Sequence, residues 1–198
     1  MALPVEEFVL SKDYPAVSLD FMFERERHVL ADLANRIPAK VVIEIGINEG
    51  NTAKYLLDNC PKIERYIGID VLPGYLPGFP TQRHEVPQQA GVKVRDRIDK
   101  VVLLVTKDGS LDVKVSDLPN ADLILIDGDH SSDAVLHDTT LARGLINAGG
   151  AVVWHDYKRT DDRGRPDPVN VADVLERLQR DGADIKNIFG TWLAIERF

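Results

Sequence analysis

The amino-acid sequence predicts an α/β fold: a doubly wound, mostly parallel sheet of seven strands with helices on both faces. Two observations predict it. Short apolar runs rich in β-branched residues alternate along the chain with segments of helical periodicity, which is the pattern of βαβ units. The last two apolar runs, within 185–198, are joined tightly at Gly190 with no helix between them, so they form a C-terminal antiparallel hairpin.

Each element is predicted in turn from its residue pattern. The first 17 residues have no clear period. From Ser18 to Ile37 apolar residues fall near one face, which predicts a helix that Pro38 ends. Five buried strands follow at 40–46, 64–70, 99–106, 121–127 and 151–156, and three helices at 50–59, 132–147 and 169–181. We expect a single Rossmann-like domain at 39–198, with 1–38 as an N-terminal helical segment of the same domain.

Two segments do not fit this alternation. The segment 71–98 begins with a run rich in proline and glycine, which predicts a long loop, and such loops in compact domains are usually functional or disordered. The segment 158–168 is charged. It is interpreted as a solvated loop or, alternatively, as a lid whose cationic side chains meet an anionic substrate: Arg159, Arg163 or Arg165.

Composition limits the classes of function. The 198 residues and 44% hydrophobic content suit one domain with a substantial core. A formal net charge of −8 argues against general nucleic-acid binding, and the single Cys60 allows no internal disulfide. No segment approaches the roughly 20 apolar residues of a membrane helix, and the N-terminal sequence lacks the features of a secretory signal. We therefore expect a cytoplasmic protein without membrane or nucleic-acid partners.

Polar residues follow several predicted strands at the point where each strand ends. In a doubly wound sheet, ligands bind at the carboxyl ends of the strands, where the strand order reverses. These residues should therefore share one rim of the sheet: Glu44, Gly46, Asp70, Asp108, Asp127, His130, His155 and Asp156.

The first predicted strand leads into "EIGINEG". Gly46 allows a sharp turn and close approach of a ligand, and Gly50 opens the next helix. Asp70 ends the second strand, where a carboxylate can accept both hydroxyls of a ribose. Asn48 stands where a dinucleotide fingerprint has its middle glycine, and Glu44 suits an ammonium group better than a pyrophosphate. The pattern favours a nucleoside that carries an amino acid and disfavours a dehydrogenase; the alternative interpretation is an ordinary tight turn.

"EIGINEG" followed by "YIGID" resembles the first two motifs of class I S-adenosylmethionine-dependent methyltransferases. The resemblance implies that Gly46 and its neighbours Asn48 and Gly50 line the methionine part of S-adenosylmethionine, with Glu44 near its ammonium. It also implies the contacts of the rest of the cofactor: Asp70 at the ribose, Asp108 or Ser110 at the adenine, and Asp127 beside the cofactor.

"LIDGDHS" and "VVWHDY" resemble the metal-dependent O-methyltransferases, the branch with the catechol and macrolide-sugar enzymes. The resemblance implies that Asp127 and Asp156 hold a divalent ion, which is magnesium in that branch. The ion binds two vicinal oxygens of a sugar or catechol-like acceptor. His130 matches the base. His155 is interpreted as a further ligand, which would favour manganese, iron or zinc, or as a side chain that points away from the ion.

Other interpretations remain open at this stage. An iron site built from Asp127, His155 and Asp156 would suit a hydroxylase of the methyltransferase fold, and a nucleoside-binding protein without turnover is a third hypothesis. Asp129 or Ser131 could cap the following helix, and His130 and His155 could be structural. Trp154 and Trp192 are predicted in the core. A small-molecule acceptor is the expected partner, and a homodimer through the N-terminal segment is a further hypothesis.

Overall fold

The computed structural model describes residues 2–17, 22–72, 90–158, 160 and 169–198. Its eight strands are β1 (Val5–Glu6), β2 (Val41–Ile45), β3 (Arg65–Val71), β4 (Val101–Thr106), β5 (Ala121–Ile126), β6 (Ile146–Trp154), β7 (Ile185–Ile188) and β8 (Ala194–Arg197). Its helices are α1 (Glu24–Arg36), α2 (Asn51–Asn59), α3 (Ser132–Leu145) and α4 (Val171–Arg180), and short 3₁₀ turns lie at Val92–Val94, Gly109–Asp112 and Val115–Asp117.

Some predictions concern residues outside the described ranges. They are the start of the first helix at 18–21, the part of the proline-rich loop at 73–89, and the charged loop at 159 and 161–168 with its three arginines.

All eight strands form one sheet in the order β1-β7-β8-β6-β5-β2-β3-β4. Every neighbouring pair is parallel except those of β8, which runs antiparallel to both β6 and β7. The predicted mostly parallel α/β sheet with its C-terminal hairpin is therefore confirmed. The count differs by one, because β1 pairs in parallel with β7 at the sheet edge and two residues are too few to show a sequence period.

Two apolar layers cover the sheet. One face packs against α1 and α2 through residues such as Val29, Leu56 and Leu123. The other packs against α3 and α4 through Ile124, Leu141, Trp154 and Leu175. Because both faces are covered, the central strands are apolar on both sides, which is why they appear in the sequence as continuous apolar runs.

Two details differ from the predicted boundaries. β6 starts at Ile146, five residues earlier than the apolar run 151–156 suggested, and α3 ends at Leu145. Gly149 and Gly150 thus lie inside the strand, next to an irregularity in its pairing with β5. A side chain at Gly150 would lie 2.7 Å from the backbone oxygen of Asp122, so the glycine marks a close backbone approach and not a helix end.

The fold sets the position of the site. β2 pairs with β3 on one side and β5 on the other, and the chain order reverses between β2 and β5. The carboxyl ends of these strands therefore border the crevice in which doubly wound sheets bind ligands. Among the described residues, no helix has the length and apolar character needed to cross a membrane.

Candidate active site

The loop between β2 and α2 touches the loop after β5. Gly46 has a φ of +88°, and a Cβ built on it would lie 2.1 Å from the carbonyl oxygen of Asp127. Any side chain at this position would clash with that backbone and adopt an unfavourable conformation. The glycine thus allows two loops of the site to meet, a role beyond the close approach of a ligand predicted from the sequence.

Asp70 connects the end of β3 to the same loop. Its Oδ2 accepts a hydrogen bond from the backbone N–H of Asn48 at 2.6 Å, and its Oδ1 accepts one from Val71 at 2.7 Å. Asn48 has a left-handed φ of +49°, which asparagine tolerates better than most residues. Burial raises the pKa of Asp70, against the two backbone hydrogen bonds that lower it. Each carboxylate oxygen still has a lone pair for a ribose hydroxyl.

Glu44 lies beneath the loop with only 2% of its surface exposed. It accepts a hydrogen bond from the Tyr66 hydroxyl at 2.8 Å. Burial raises the pKa of Glu44 well above its usual range, and the nearby carboxylates of Asp127 and Asp70 act in the same direction. A cationic ligand group beside Glu44 would favour its charged form, which suits the predicted ammonium contact.

Two other predicted cofactor residues make local contacts. Gly50 has a φ of +88°, and a Cβ there would lie 3.2 Å from Val94, so the 3₁₀ turn Val92–Val94 packs against it. Asp108 starts the 3₁₀ turn after β4, and its backbone N–H donates to Asp112 at 2.9 Å. The adenine contact of Asp108 or Ser110 stays a prediction.

Three side chains meet where β5 and β6 end. Donor atoms of Asp127, His130 and Asp156 all lie within 4.8 Å of one another. Asp127 follows β5 and Asp156 follows β6, so the pairing of these two strands places the carboxylates side by side. Carboxylate oxygens suit magnesium, and an added imidazole suits manganese or other transition ions as well. The side chains present therefore fit a divalent ion.

His130 lies on the outer side of this cluster. Its Nε2 lies 3.0 Å from Asp156 Oδ2, which is close enough for an ion pair. This contact does not have hydrogen-bond geometry. Burial lowers the pKa of His130, but the carboxylates of Asp156 and Asp127 outweigh burial and raise it overall. The imidazole can thus take up a proton at the edge of the cleft.

His155 lies behind the two acids. Its Nδ1 is 3.1 Å from Asp127 Oδ1 and 3.5 Å from Asp156 Oδ2, and its Nε2 is 3.1 Å from Glu26 Oε2. Burial opposes protonation, yet Asp127, Asp156 and Glu26 raise the pKa of His155 well above its usual range. Of the two interpretations of His155, the geometry favours the one in which it is not an ion ligand, and His130 is the third donor of the cluster.

Lys158 and Trp192 border this cluster, although the sequence pattern did not point to Lys158 and predicted Trp192 in the core. Lys158 Nζ lies 3.1 Å from Asp156 Oδ1 and 3.9 Å from the ring centroid of Trp192. Trp192 is half-buried rather than in the core, and Phe23 packs edge-on against it at 4.7 Å. In the sequence, the feature that could have indicated Lys158 is its position two residues after Asp156.

Other residues near the site are structural. Trp154 is fully buried and donates from Nε1 to Thr139 at 3.0 Å, which confirms its predicted core position. The Tyr157 hydroxyl accepts from Leu3 N–H at 2.9 Å and donates to Glu176 at 3.1 Å, so its ring packs within the protein.

The end of α3 next to the cluster is capped. The Ser131 hydroxyl accepts from Ala134 N–H at 3.4 Å, and Asp129 accepts from Ser131 N–H at 2.6 Å. Ser131 is thus the N-cap of α3 and Asp129 holds the backbone of Ser131, whereas Asp127 belongs to the cluster.

Comparison with known proteins identifies the family. A curated relative, an uncharacterised protein of Acanthamoeba polyphaga mimivirus, is 30% identical over 141 residues, which are 69% of this chain and 61% of that protein. The chain thus spans less than two thirds of the relative's length.

Solved structures share the fold. A cofactor-bound protein from MTB has a TM-score of 0.59 at 22% identity, with 91% of this chain and 81% of that chain covered. The O-methyltransferase TomG of Streptomyces achromogenes has a TM-score of 0.57 at 17% identity, covering 92% and 82%. A methyltransferase of Podospora anserina has a TM-score of 0.62 at 16% identity, covering 89% and 79%.

The family described as "Methyltransferase domain" matches residues 43–157, more than half of the chain. The matched range runs from β2 to the residue after Asp156 and includes the whole of the three-donor cluster. The resemblance to class I methyltransferases is therefore confirmed, and the chain belongs to this family of methyltransferase domains.

Proposed function

We propose that the protein transfers a methyl group from S-adenosylmethionine to an oxygen of a small molecule with vicinal oxygens, such as a catechol-like ring or a sugar. One observation carries the proposal: the donor atoms of Asp127, His130 and Asp156 converge beside the loop that begins at Gly46. Structural neighbours include O-methyltransferases solved with S-adenosylmethionine or S-adenosylhomocysteine, which supports the same cofactor here.

The cofactor would lie along the ends of β2 and β3. The methionine part would face the loop of Gly46, Asn48 and Gly50, with its ammonium near Glu44. The ribose hydroxyls would donate to Asp70, which already accepts one backbone hydrogen bond on each oxygen. The adenine would extend toward the turn that begins at Asp108. In this arrangement the sulfonium methyl would lie toward the end of β5, next to the cluster.

Asp127 and Asp156 would hold a divalent ion, and His130 beside them would stay free to act as the base. When bound, such an ion lowers the pKa of the acceptor hydroxyl and orients its oxygen. His130 would take up the proton of the acceptor hydroxyl on its imidazole, and S-adenosylmethionine would supply the methyl group as a sulfonium and leave as S-adenosylhomocysteine. An acceptor with two vicinal oxygens would suit the site, because both oxygens could bind an ion held by Asp127 and Asp156.

A second candidate works without an ion. Lys158 at Asp156 and His155 between the two acids already compensate much of their negative charge. In that case the cationic side chains orient the acceptor and His130 remains the base. The hydroxylase interpretation loses support, because both ring nitrogens of His155 face carboxylates.

Binding measurements on wild type and Asp156→Asn separate these candidates. Asparagine keeps the shape and tolerates the left-handed φ of +57° at this position. We expect calorimetry to show Mn²⁺ binding to wild type, weakened more than about tenfold in D156N, while S-adenosylmethionine binds both proteins alike.

Asp129→Asn is the matched control, because Asp129 accepts a hydrogen bond from Ser131 N–H beside the cluster without belonging to it. It should bind Mn²⁺ like wild type. Methyl transfer to a catechol that persists in excess EDTA would instead establish the ion-free candidate. A wild-type protein that binds no S-adenosylmethionine would overturn the proposed function altogether.

A further inference from the structure

The imidazole of His155 is held between three carboxylates. Its Nδ1 faces Asp127 at 3.1 Å and Asp156 at 3.5 Å, while its Nε2 faces Glu26 at 3.1 Å. Only 3% of its surface is exposed. Each ring nitrogen thus lies within hydrogen-bond distance of a carboxylate oxygen, and the ring links Glu26 to Asp127.

The carboxylate of Glu26 is itself held in place by hydrogen bonds. Its side chain is fully buried, although it belongs to α1, outside the sequence range that matches the family. Its Oε1 accepts from the Trp192 backbone N–H at 2.7 Å, and its Oε2 accepts from the Phe23 backbone N–H at 2.9 Å. Two backbone donors from different parts of the chain therefore determine where the carboxylate sits.

The link determines how Asp127 presents its oxygens. Since Oδ1 of Asp127 is engaged by His155, the carboxylate cannot rotate freely. Partners of this kind behind a ligand carboxylate orient it and tune its affinity for an ion.

We propose that Glu26 is a positioning residue that acts through His155 to orient Asp127 toward the ion of the candidate site. The N-terminal helix α1 is then part of the active-site machinery. This inference rests on the proposed function, because it assigns Glu26 a role in the same site.

A double-mutant cycle on Mn²⁺ affinity tests the proposal. The variants are Glu26→Gln, His155→Gln and the double variant, each also measured for S-adenosylmethionine affinity and thermal unfolding. We expect E26Q to weaken Mn²⁺ binding about tenfold, with cofactor affinity within about twofold of wild type. In the H155Q background, E26Q should have little further effect, because its route to Asp127 is already broken.

Glu24→Gln is the matched control. Glu24 lies in the same first turn of α1 and accepts from Val17 N–H, but it is half-exposed and does not reach His155. It should leave Mn²⁺ affinity unchanged. Should E26Q fail to fold, Glu26→Asp keeps the charge on a shorter side chain and should lose part of the ion affinity.

The outcomes are distinguishable. Additive effects of E26Q and H155Q, or equal losses of ion and cofactor affinity, would show that Glu26 only supports the fold. If wild type binds both cofactor and ion, and E26Q binds the ion as tightly as wild type does, this proposal is refuted and the proposed function is not. A wild type that binds the cofactor but no ion refutes the ion-assisted function and this proposal together.

Discussion

Asp138 on α3 is the most unusual single side chain outside the site. It is fully buried, and neither carboxyl oxygen has a hydrogen-bond partner in the part of the chain that the structure describes. Burial raises its pKa to about 6; Ser110 lies close enough to act in the opposite direction, but not in hydrogen-bond geometry. Such a group favours its neutral form in the folded protein.

This predicts a pH-dependent effect of Asp138→Asn. The unfolded carboxyl titrates near pH 4 and the folded one near pH 6, so wild type loses stability as pH rises between these values. The variant carries no titrating group there. As pH rises from 4 to 7, the unfolding free energy of D138N should increase by up to about 3 kcal/mol relative to that of wild type.

Urea denaturation at several pH values measures this difference. Asp133→Asn, at an exposed position in the first turn of the same helix, is the control and should show little pH dependence. A difference between D138N and wild type that stays constant across this pH range would contradict the prediction.

Residues of the site were predictable to different degrees. The convergence of Asp127, His130 and Asp156 follows from the rule that parallel strands end at one rim, so sequence reasoning could reach it. Glu26 was out of reach, because its contact with His155 joins residues 129 positions apart. Nothing in the sequence shows which polar residues of α1 are buried, as Glu26 is.

At the scale of elements, β1 completes the edge of the sheet. β1 and the residue before it supply acceptors for one donor of β7 and for one donor directly after it. Asn187 N–H donates to the Pro4 carbonyl at 2.8 Å, and Phe189 N–H donates to the Glu6 carbonyl at 2.9 Å. Leu3 is buried beside it, and Glu6 pairs with Arg197 at 2.6 Å. A segment of two strand residues thus covers an otherwise open edge.

Deletion of residues 1–7 should lower the melting temperature by about 5–10 °C, because it removes two edge hydrogen bonds and the burial of Leu3. S-adenosylmethionine affinity should not change, since this edge lies far from β2 in the sheet. Differential scanning calorimetry measures the shift, and deletion of residues 1 and 2 alone serves as the control. Unchanged stability after the longer deletion would show that β1 contributes nothing.

The central elements were predictable because each buried strand is a continuous apolar run and each helix has a periodic face. The predicted strand at 64–70 corresponds to β3 at Arg65–Val71, and the helix at 169–181 to α4 at Val171–Arg180. β1 was missed, and the start of β6 was placed too late, for the same reason. Edge pairing and strand irregularities depend on backbone contacts that side-chain patterns do not record.

At the scale of the whole molecule, the candidate site exists only in the folded chain. Its residues come from the ends of β2, β3, β5 and β6, which the sheet brings together. A ligand of the site therefore binds the native state and stabilises it by mass action.

S-adenosylhomocysteine at about a hundred times its Kd should add about 2.7 kcal/mol and raise the melting temperature by roughly 5–10 °C. Differential scanning fluorimetry measures the shift. ATP at the same concentration is the control and should give none, because its phosphates would lie where the methionine part does, facing Glu44 and Asp127. Equal stabilisation by both compounds would contradict the proposed mode of binding.

Because Gly46 packs directly against the carbonyl of Asp127, the loop after β2 and the acid that follows β5 move together. A movement of either backbone has to displace the other. Thermodynamic reciprocity then applies: by whatever factor occupation of the nucleoside pocket strengthens capture of a cation, the cation strengthens retention of the nucleoside.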